Sequence, residues 1–431
     1  MTESFLHYLW KHSLYCFVQL KTTDGKTLKI IHPGYPHQDA GPDFKQAIIK
    51  INDMIWAGDV EIHLHSSDWF KHGHQDDLKY QSVVLHVVFE HDTDIPRSAC
   101  ELFPTLELKE YIPKKMLEEY LKLSLSENEL PCKSQLHQIN DLQFAALLSG
   151  KAMERLLNRQ KMIFDIVNQC QGNWNEAFFR ILTINFGFKT NSAAFELLGK
   201  SISFKHLLSH ANARLQIYAL IFGQAGMLEI ETEDSYQKAL FSEYQYLKYK
   251  YKLTSIHEKN WNYLRLRPKN FPCVRLAQLS ELLFRSPDLF QKILLEENIE
   301  NLSVLFSCKP HDYWQTHYHF SKISKKHDTS LGKNTTNLLL INTVSPILFA
   351  YATFHGNSDL QQRAFDILEN IPFEENNITQ FYKNAGFPAH KALYSQAILE
   401  LKAHSCSKKK CLDCSIGSYI IKGNNNESTN C

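Results

Sequence analysis

The chain has 431 residues, of which 44% are apolar and 22% charged, so it has room for two or three domains with a sizeable core and is not disordered as a whole. Its 47 basic and 46 acidic residues leave a net charge of +1, which excludes both a polycationic coat for nucleic acid and a strongly acidic solvating chain. Glycine is scarce, at 16 residues, so few turns and long helices are expected; histidine is abundant, and ten of its 21 copies lie within the first 91 residues.

In chain order, a short helix is predicted over Glu3 to Trp10, and the rest of residues 1–110 reads as strands and turns. These strands lie in FVQLKTTDGKTLKIIHPG, QAIIKINDMIWAGDVEIHLH and SVVLHVVFEHD. Asp24-Gly25, set between apolar alternations, is a hairpin signal, and Asn52-Asp53 is a weaker one. From Tyr111 onward the apolar spacing becomes helical, with N-caps expected at Asn140-Asp141 and Asn173. The fold class that follows is an α+β N-terminal domain with a mixed β-sheet (1–110), a mainly α-helical domain (111–400), a small cysteine knuckle (401–422) and a disordered tail (423–431). Residues 1–110 hold 10 basic and 16 acidic residues, a net of −6, so the remainder carries +7.

The N-terminus lacks the basic start and unbroken apolar stretch of a signal peptide. No run of 18 uninterrupted apolar residues occurs, so no membrane span is expected, and Leu338 to Tyr351 reads as a buried helix. The ten cysteines are unevenly spaced, which argues for reduced thiols and a cytoplasmic location.

The richest chemistry lies in residues 41–69. On a strand, Val60, Ile62 and Leu64 fall on one face, directed at a core, and Asp59, Glu61, His63 and His65 on the other. Four such side chains together are costly to bury without partners and are readily explained by a cation. Asp43 follows Pro42, and a hairpin between it and Glu61 would bring both carboxylates together. With the intervening carbonyl they suit a hard ion, Mg²⁺ or Mn²⁺, that polarises a phosphodiester and acidifies water. The competing reading makes Asp43 a turn residue and leaves Glu61 and His63 on a solvated face. His72 and His74, beside Asp76 and Asp77, favour a solvated loop, and His86 a core position. Ser66, Ser67 and Asp68 read as a helix N-cap.

Pro42-Asp43 followed by Glu61-Ile62-His63 resembles the PD-(D/E)xK nuclease superfamily, with Glu3 matching its upstream helical acid. The resemblance implies a restriction-endonuclease-like sheet in which Asp43 and Glu61 bind the metal and His63 takes the place of the lysine that orients water. Histidine in that position could orient water, act as base or bind a softer metal. Over a longer span, DAGPDF, WAGDVEIH, SSDWFKHGHQDDLKY and VVLHVVFEHD, with RPKNFPCVRLAQL, INTVSPILFAYA and CLDCSIG later, resemble a bacterial family called "domain of unknown function 2851". That resemblance covers most of the chain and implies no activity.

Two further features remain. Between Tyr244 and Arg275, Lys248, Lys250, Lys252, Arg265, Arg267 and Lys269 belong to a basic stretch interleaved with aromatic residues. It suits nucleic acid, phosphate against cation and base against ring, or equally a solvated face with aromatic anchors in the core. His317 and His319 lack the spacing of a zinc pair on a helix. Near the C-terminus, Cys406, Cys411 and Cys414 include the Cys-x2-Cys spacing of a metal knuckle, with zinc preferred over an iron–sulfur cluster. A fourth ligand is not evident; His404 is nearest, and Cys273, Cys308 or Cys431 would have to approach through the fold. The leading expectation is a metal-dependent phosphodiesterase acting on DNA or RNA. The alternatives are a non-catalytic nucleic-acid- or protein-binding scaffold and a metal-dependent hydrolase of another substrate.

Overall fold

A computed structural model of the protein describes residues 1–16, 19–37, 39–98, 101–228 and 232–423. They form two units, one of Met1–Leu147 with Leu401–Cys431, the other of Leu148–Glu400. The change of periodicity near Tyr111 therefore falls inside the first unit, which also takes in the C-terminal segment. Residues 424–431 of the expected disordered tail lie outside the described residues.

The first unit opens with α1 (Glu3–Lys11), which buries Phe5, Leu6, Tyr8, Leu9 and Trp10. β1 (Leu28–His32), β2 (Tyr35–Pro36), β3 (Phe44–Ile51) and β4 (Met54–His65) follow. After α2 (Asp68–Lys71) come β5 (Val83–Glu90), a small pair of β6 (Pro96–Ser98) and β7 (Glu101–Leu102), β8 (Thr105–Glu107) and α3 (Lys114–Ser124). The main sheet runs β1-β3-β4-β5-β8, with β2 also on β3. The pairs among β1, β3 and β4 are antiparallel, whereas β4–β5 and β5–β8 are parallel, so the expected mixed sheet is present.

Local chemistry explains these joins. The weaker turn signal makes the β3–β4 hairpin: Ile51 pairs with Met54, and Asn52 takes φ 50°, a left-handed conformation that asparagine tolerates. Asp24-Gly25 makes a tight turn between Lys21 and Thr27, with Gly25 at φ 85°. Gly58 permits the close approach of β5, because a Cβ there would stand 2.4 Å from both the Ser82 carbonyl oxygen and Val84 Cγ1. Antiparallel strands need only a turn, but the parallel step from β4 to β5 needs a crossover. Residues 66–82 supply it, anchored by Trp69, which packs with Val83, Ile95, Tyr80 and Phe103. Six successive residues of β5, Val83 to Val88, are buried, as in a parallel strand covered on both faces.

The second unit is mainly helical. Asn173 caps the helix Trp174–Phe186 by accepting from the backbone N–H groups of Asn175 and Glu176, as its position suggested. Leu338 to Tyr351 lies within Lys333–His355, which includes a π-helical turn at Leu340–Val344. Among the described residues this is the one helix long and apolar enough to cross a membrane by length and composition, and 67% of its apolar window is buried inside the protein. Cys16 is disulfide-bonded, which departs from the expectation of reduced thiols throughout. Seven other described cysteines form no disulfide.

Candidate metal centre

The site begins at the β3–β4 hairpin. Phe44 pairs with Val60, and this register sets Asp43 against Glu61. The Asp43 N–H donates to Glu61 Oε2 at 3.1 Å, and Asp43 Oδ2 accepts from the Ile62 N–H at 3.0 Å. The two carboxylates are therefore tied to each other's strands. His7 of α1 brings its Nε2 to 3.3 Å from Asp43 Oδ2. Glu3, one helical turn earlier, is an electrostatic neighbour of Asp43, His7 and His72.

The competing reading, with Glu61 and His63 on a solvated face, does not hold. Val60, Glu61, Ile62 and His63 are all buried, Glu61 at 5% exposure and His63 at 2%. Helix α1 packs against β4, and the 66–82 crossover brings two more histidines over the same strand. Asp59 and His65, expected beside Glu61, do other work. Asp59 Oδ1 accepts from the Gln46 N–H at 3.0 Å where the β3–β4 register shifts, and its Oδ2 accepts from Ser82 Oγ at 2.6 Å. The His65 backbone N–H donates to Asp68. Ser67 stands at the N-cap position of α2, as expected, but the Ser66 and Ser67 hydroxyls bond Asp92 and fasten the crossover instead of capping the helix.

His63, His72 and His74 bring one ligand nitrogen each within 4.8 Å of one another. Glu61 Oε1 joins them, 3.4 Å from His63 Nε2 and 3.2 Å from His74 Nε2, while His72 Nδ1 lies 3.1 Å from His63 Nε2. Ligands bound at ~2.0–2.1 Å in a tetrahedral site stand ~3.3 Å apart, so these three spacings are of the size one small cation sets, while Glu61 lies outside the group of three mutually close histidines. His74 Nε2 is buried and has no hydrogen-bond partner, an orphan that a metal would satisfy. His63 Nε2 faces Glu61 and His72, and its Nδ1 lies 2.8 Å from His86 Nε2, a contact that orients the ring. His86 is thus buried, as expected, but it supports the site.

The electrostatics suit lone-pair donors. Burial, reinforced by His74 and His72, pushes His63 down to about 4. Burial and His72 lower His74, and burial lowers His86 well below the ordinary histidine range. These imidazoles are uncharged at neutral pH and free to bind metal. Burial, then Asp43, pushes Glu61 up to about 8, so without a cation this carboxyl holds a proton. Tyr80 stacks on His74 with ring centroids 3.7 Å apart and closes one side. The open side is formed by exposed His72, by Asp43 and by His7, the last two with side chains 23% and 36% exposed respectively.

Sequence reasoning thus located Asp43, Glu61 and His63 and weighted His72 and His74 toward solvent. FKHGH offered a signal, two histidines flanking a glycine just after the strand that carries Glu61. His7 was missed, although it stands four residues after Glu3 on a predicted helix.

In the second unit, Lys248 and Lys250 lie on the helix Ser235–Tyr251, and Lys252 caps it at φ 53°, so their period-2 spacing sends them to different helix faces. Lys250, Lys252, Arg265, Arg267 and Lys269 are exposed and Lys248 partly so. Of the interleaved aromatic residues, Tyr244 and Trp261 are buried and Tyr249 is 88% exposed. Arg275 is buried against Phe188 and bonded to Asn270 and Gln278, so it is a packing residue. In the first unit, Cys414 is buried, and Cys406 and Cys411 are partly so.

No curated protein and no solved structure matches the chain. Residues 3–377 match the family model described as "Protein of unknown function (DUF2851)", a span that stops short of CLDCSIG, and the chain belongs to that family.

Proposed function

We propose that the first unit is a metal-dependent phosphodiesterase acting on nucleic acid, with Glu61, His63, His72 and His74 as metal ligands. The observation that carries this reading is the grouping of His63, His72 and His74 nitrogens within 4.8 Å, with Glu61 Oε1 3.2–3.4 Å from two of them. The antiparallel β3–β4 hairpin followed by parallel β5 supports a restriction-endonuclease-like sheet, with Asp43 and Glu61 in the positions of that superfamily's acids. The donor set departs from a pure Mg²⁺ site. Three imidazoles and a carboxylate favour Zn²⁺ or Mn²⁺ over Mg²⁺.

His63 does not replace the lysine as a cation, because it is buried and uncharged at neutral pH; it serves as a ligand. A bound divalent ion would supply Lewis acidity and lower the pKa of a water. Asp43 and His7 then form the proton-handling pair on the open side. Asp43 Oδ2 holds His7 Nε2 at 3.3 Å, and the contact keeps His7 above its ordinary value despite burial. Nucleic acid as substrate rests on the superfamily resemblance and on the exposed cations Lys250, Lys252, Arg265, Arg267 and Lys269. The histidine-rich donor set also favours a second reading, hydrolysis of a different ester at the same metal.

The test is cleavage of labelled DNA and RNA, and of a simple aryl phosphodiester, by the full chain in Mn²⁺, Zn²⁺ or Mg²⁺. Glu61→Gln and His74→Ala should each lower cleavage by more than the ~10–100-fold typical of an outer-shell substitution. Removing Lys250 or Lys252 should reduce the log–log salt slope of nucleic-acid binding by roughly 0.7–0.9 each. Cleavage of the aryl ester but not of nucleic acid would select the second reading. Stoichiometric metal with no hydrolysis of any ester, and salt-dependent nucleic-acid binding unaffected by Glu61→Gln, would overturn both in favour of a scaffold.

A further inference from the structure

The C-terminal segment of the first unit returns to a short 3-10 helix, Pro131–Gln138, far back in the chain. Two lysines flanking Cys406 hold it there: Lys402 pairs with Glu129, and Lys409 Nζ donates to the Ser126 carbonyl at 3.2 Å. Both partners lie just before Cys132. The helix Ser415–Lys422 packs against the same 3-10 helix. Cys132 is 9% exposed and Cys414 7%, and Cys406 and Cys411 are half-buried.

The backbone around the C-terminal thiols makes two tight turns. Lys409, at φ 49°, reverses the chain after Cys406, and the Lys410 N–H closes the turn on the Ser405 carbonyl at 3.0 Å. The Cys414 N–H then reaches the Cys411 carbonyl at 3.3 Å, which makes a tight Cys-x2-Cys turn capping the last helix. Gly417 is required beneath it, because a Cβ there would stand 2.1 Å from the Cys411 carbonyl oxygen. Cys406, Cys414 and Cys411 are the electrostatic neighbours of Cys132. Three cysteines on one segment and a fourth on the helix it docks against are the soft donors that a tetrahedral zinc ion takes.

We infer that Cys132 completes a structural zinc site with Cys406, Cys411 and Cys414, closing the C-terminal segment onto the N-terminal unit. The site is independent of the Glu61 centre and holds no water-activating position, since four thiolates fill a tetrahedral ion. Zinc replaces the four thiol protons, with no change of oxidation state. His404, Cys273 and Cys308 are then not ligands.

The experiment is differential alkylation of the unmutated full chain, purified under reducing conditions, with elemental analysis and mass-spectrometric mapping. Alkylation is done before and after treatment with a strong zinc chelator. The expected result is that Cys132, Cys406, Cys411 and Cys414 change together from protected to reactive as zinc leaves. Cys170, Cys273 and Cys308 should behave alike in both states. In Co²⁺-substituted protein, the visible bands of four-thiolate coordination should appear and shift on Cys132→His, which keeps a ligand and guards against loss of folding. Protection of only the three C-terminal cysteines would overturn the role of Cys132. Iron with sulfide, or no metal in fresh reduced protein, would overturn the zinc site altogether. Glu61→Gln should leave the alkylation pattern unchanged, so failure of the functional proposal and failure of this one are separate results.

Discussion

The first unit holds two clusters of candidate metal ligands that differ in chemistry. The Glu61–His63–His72–His74 group mixes a carboxylate with imidazoles, has one exposed member and borders a second carboxylate and a histidine that can move protons. The Cys132–Cys406–Cys411–Cys414 group is all thiol and is bordered by a glycine contact and two lysine anchors. Thiolates neutralise a divalent ion and leave it little Lewis acidity, whereas neutral imidazoles and one carboxylate leave positive charge for a water or a phosphate. The difference teaches that donor type and closure, rather than the number of ligands, separate a site built to react from one built to hold.

The sharpest way to break that contrast is to remove the metal from the reactive site and follow stability against pH. In metal-free protein Glu61 stands at about 8, above its unfolded value near 4.5, so its contribution is complete below pH ~4.5 and is lost as pH rises toward 8. His63 stands at about 4, below its unfolded value near 6.5, so its contribution is complete above pH ~6.5 and is lost as pH falls toward 4. The two slopes oppose each other between about pH 4.5 and 6.5 and act singly outside that window. Chelated protein should therefore be most stable on a plateau there and lose on the order of a few kcal/mol by pH 8, at ~1.4 kcal/mol for each pH unit crossed. Glu61→Gln should abolish the alkaline loss and keep the acid one. Denaturant titrations at pH 5.5, 7 and 8 measure this, and an unchanged slope in Glu61→Gln would remove Glu61 as the buried carboxyl responsible.

What could be read from the sequence follows the same contrast. Asp43, Glu61 and His63 were legible because a hairpin and a period-2 strand are local rules, and Phe44 pairs with Val60 as those rules require. The competing reading, a solvated face for Glu61 and His63, fails because the alternation of Val60, Ile62 and Leu64 describes a one-sided sheet, whereas β4 is buried on both faces from Val60 to His63. His74 escaped because it rides on a crossover whose path depends on Trp69 packing, and crossovers have no periodicity. Cys132 could not be paired with Cys406 from spacing, since a knuckle pattern specifies its local half only. The three-cysteine motif was visible, and its long-range partner depended on Glu129 and Ser126 meeting Lys402 and Lys409.

A second prediction presses on the closed site. Gly417→Ala places a methyl group against the backbone of Cys411, where no flexible side chain can give way. The Cys411–Cys414 turn must shift, at a cost of ~1–3 kcal/mol typical of overpacking. Zinc held by the cysteines should exchange faster with a chromogenic chelator, while ester hydrolysis at the Glu61 centre should be unchanged. Parallel loss of hydrolysis would mean that the two clusters form one cooperative structure, and the division into reactive and structural sites would fail.

The smallest expected effect tests the open side of the reactive site. His72 is the one exposed member of its cluster, yet its Nδ1 reaches 3.1 Å from His63 Nε2. Its removal creates no buried cavity and strands no buried partner, because His63 retains His86 through Nδ1. His72→Asn should therefore leave thermal stability of the chelated protein within ~0.5 kcal/mol of the original, as for an exposed substitution. Metal affinity should fall by at least the ~10–100-fold typical of an outer-shell substitution, because a ligand is lost, and higher Mn²⁺ or Zn²⁺ should restore turnover. His74→Ala, by contrast, removes a buried ring stacked on Tyr80, and added metal should not rescue it. If His72→Asn bound metal as tightly as the original, the centre would be a three-ligand site of Glu61, His63 and His74. Its fourth position would then already be open to water before substrate arrives, which is the arrangement that catalytic metals favour and that a four-thiolate site excludes.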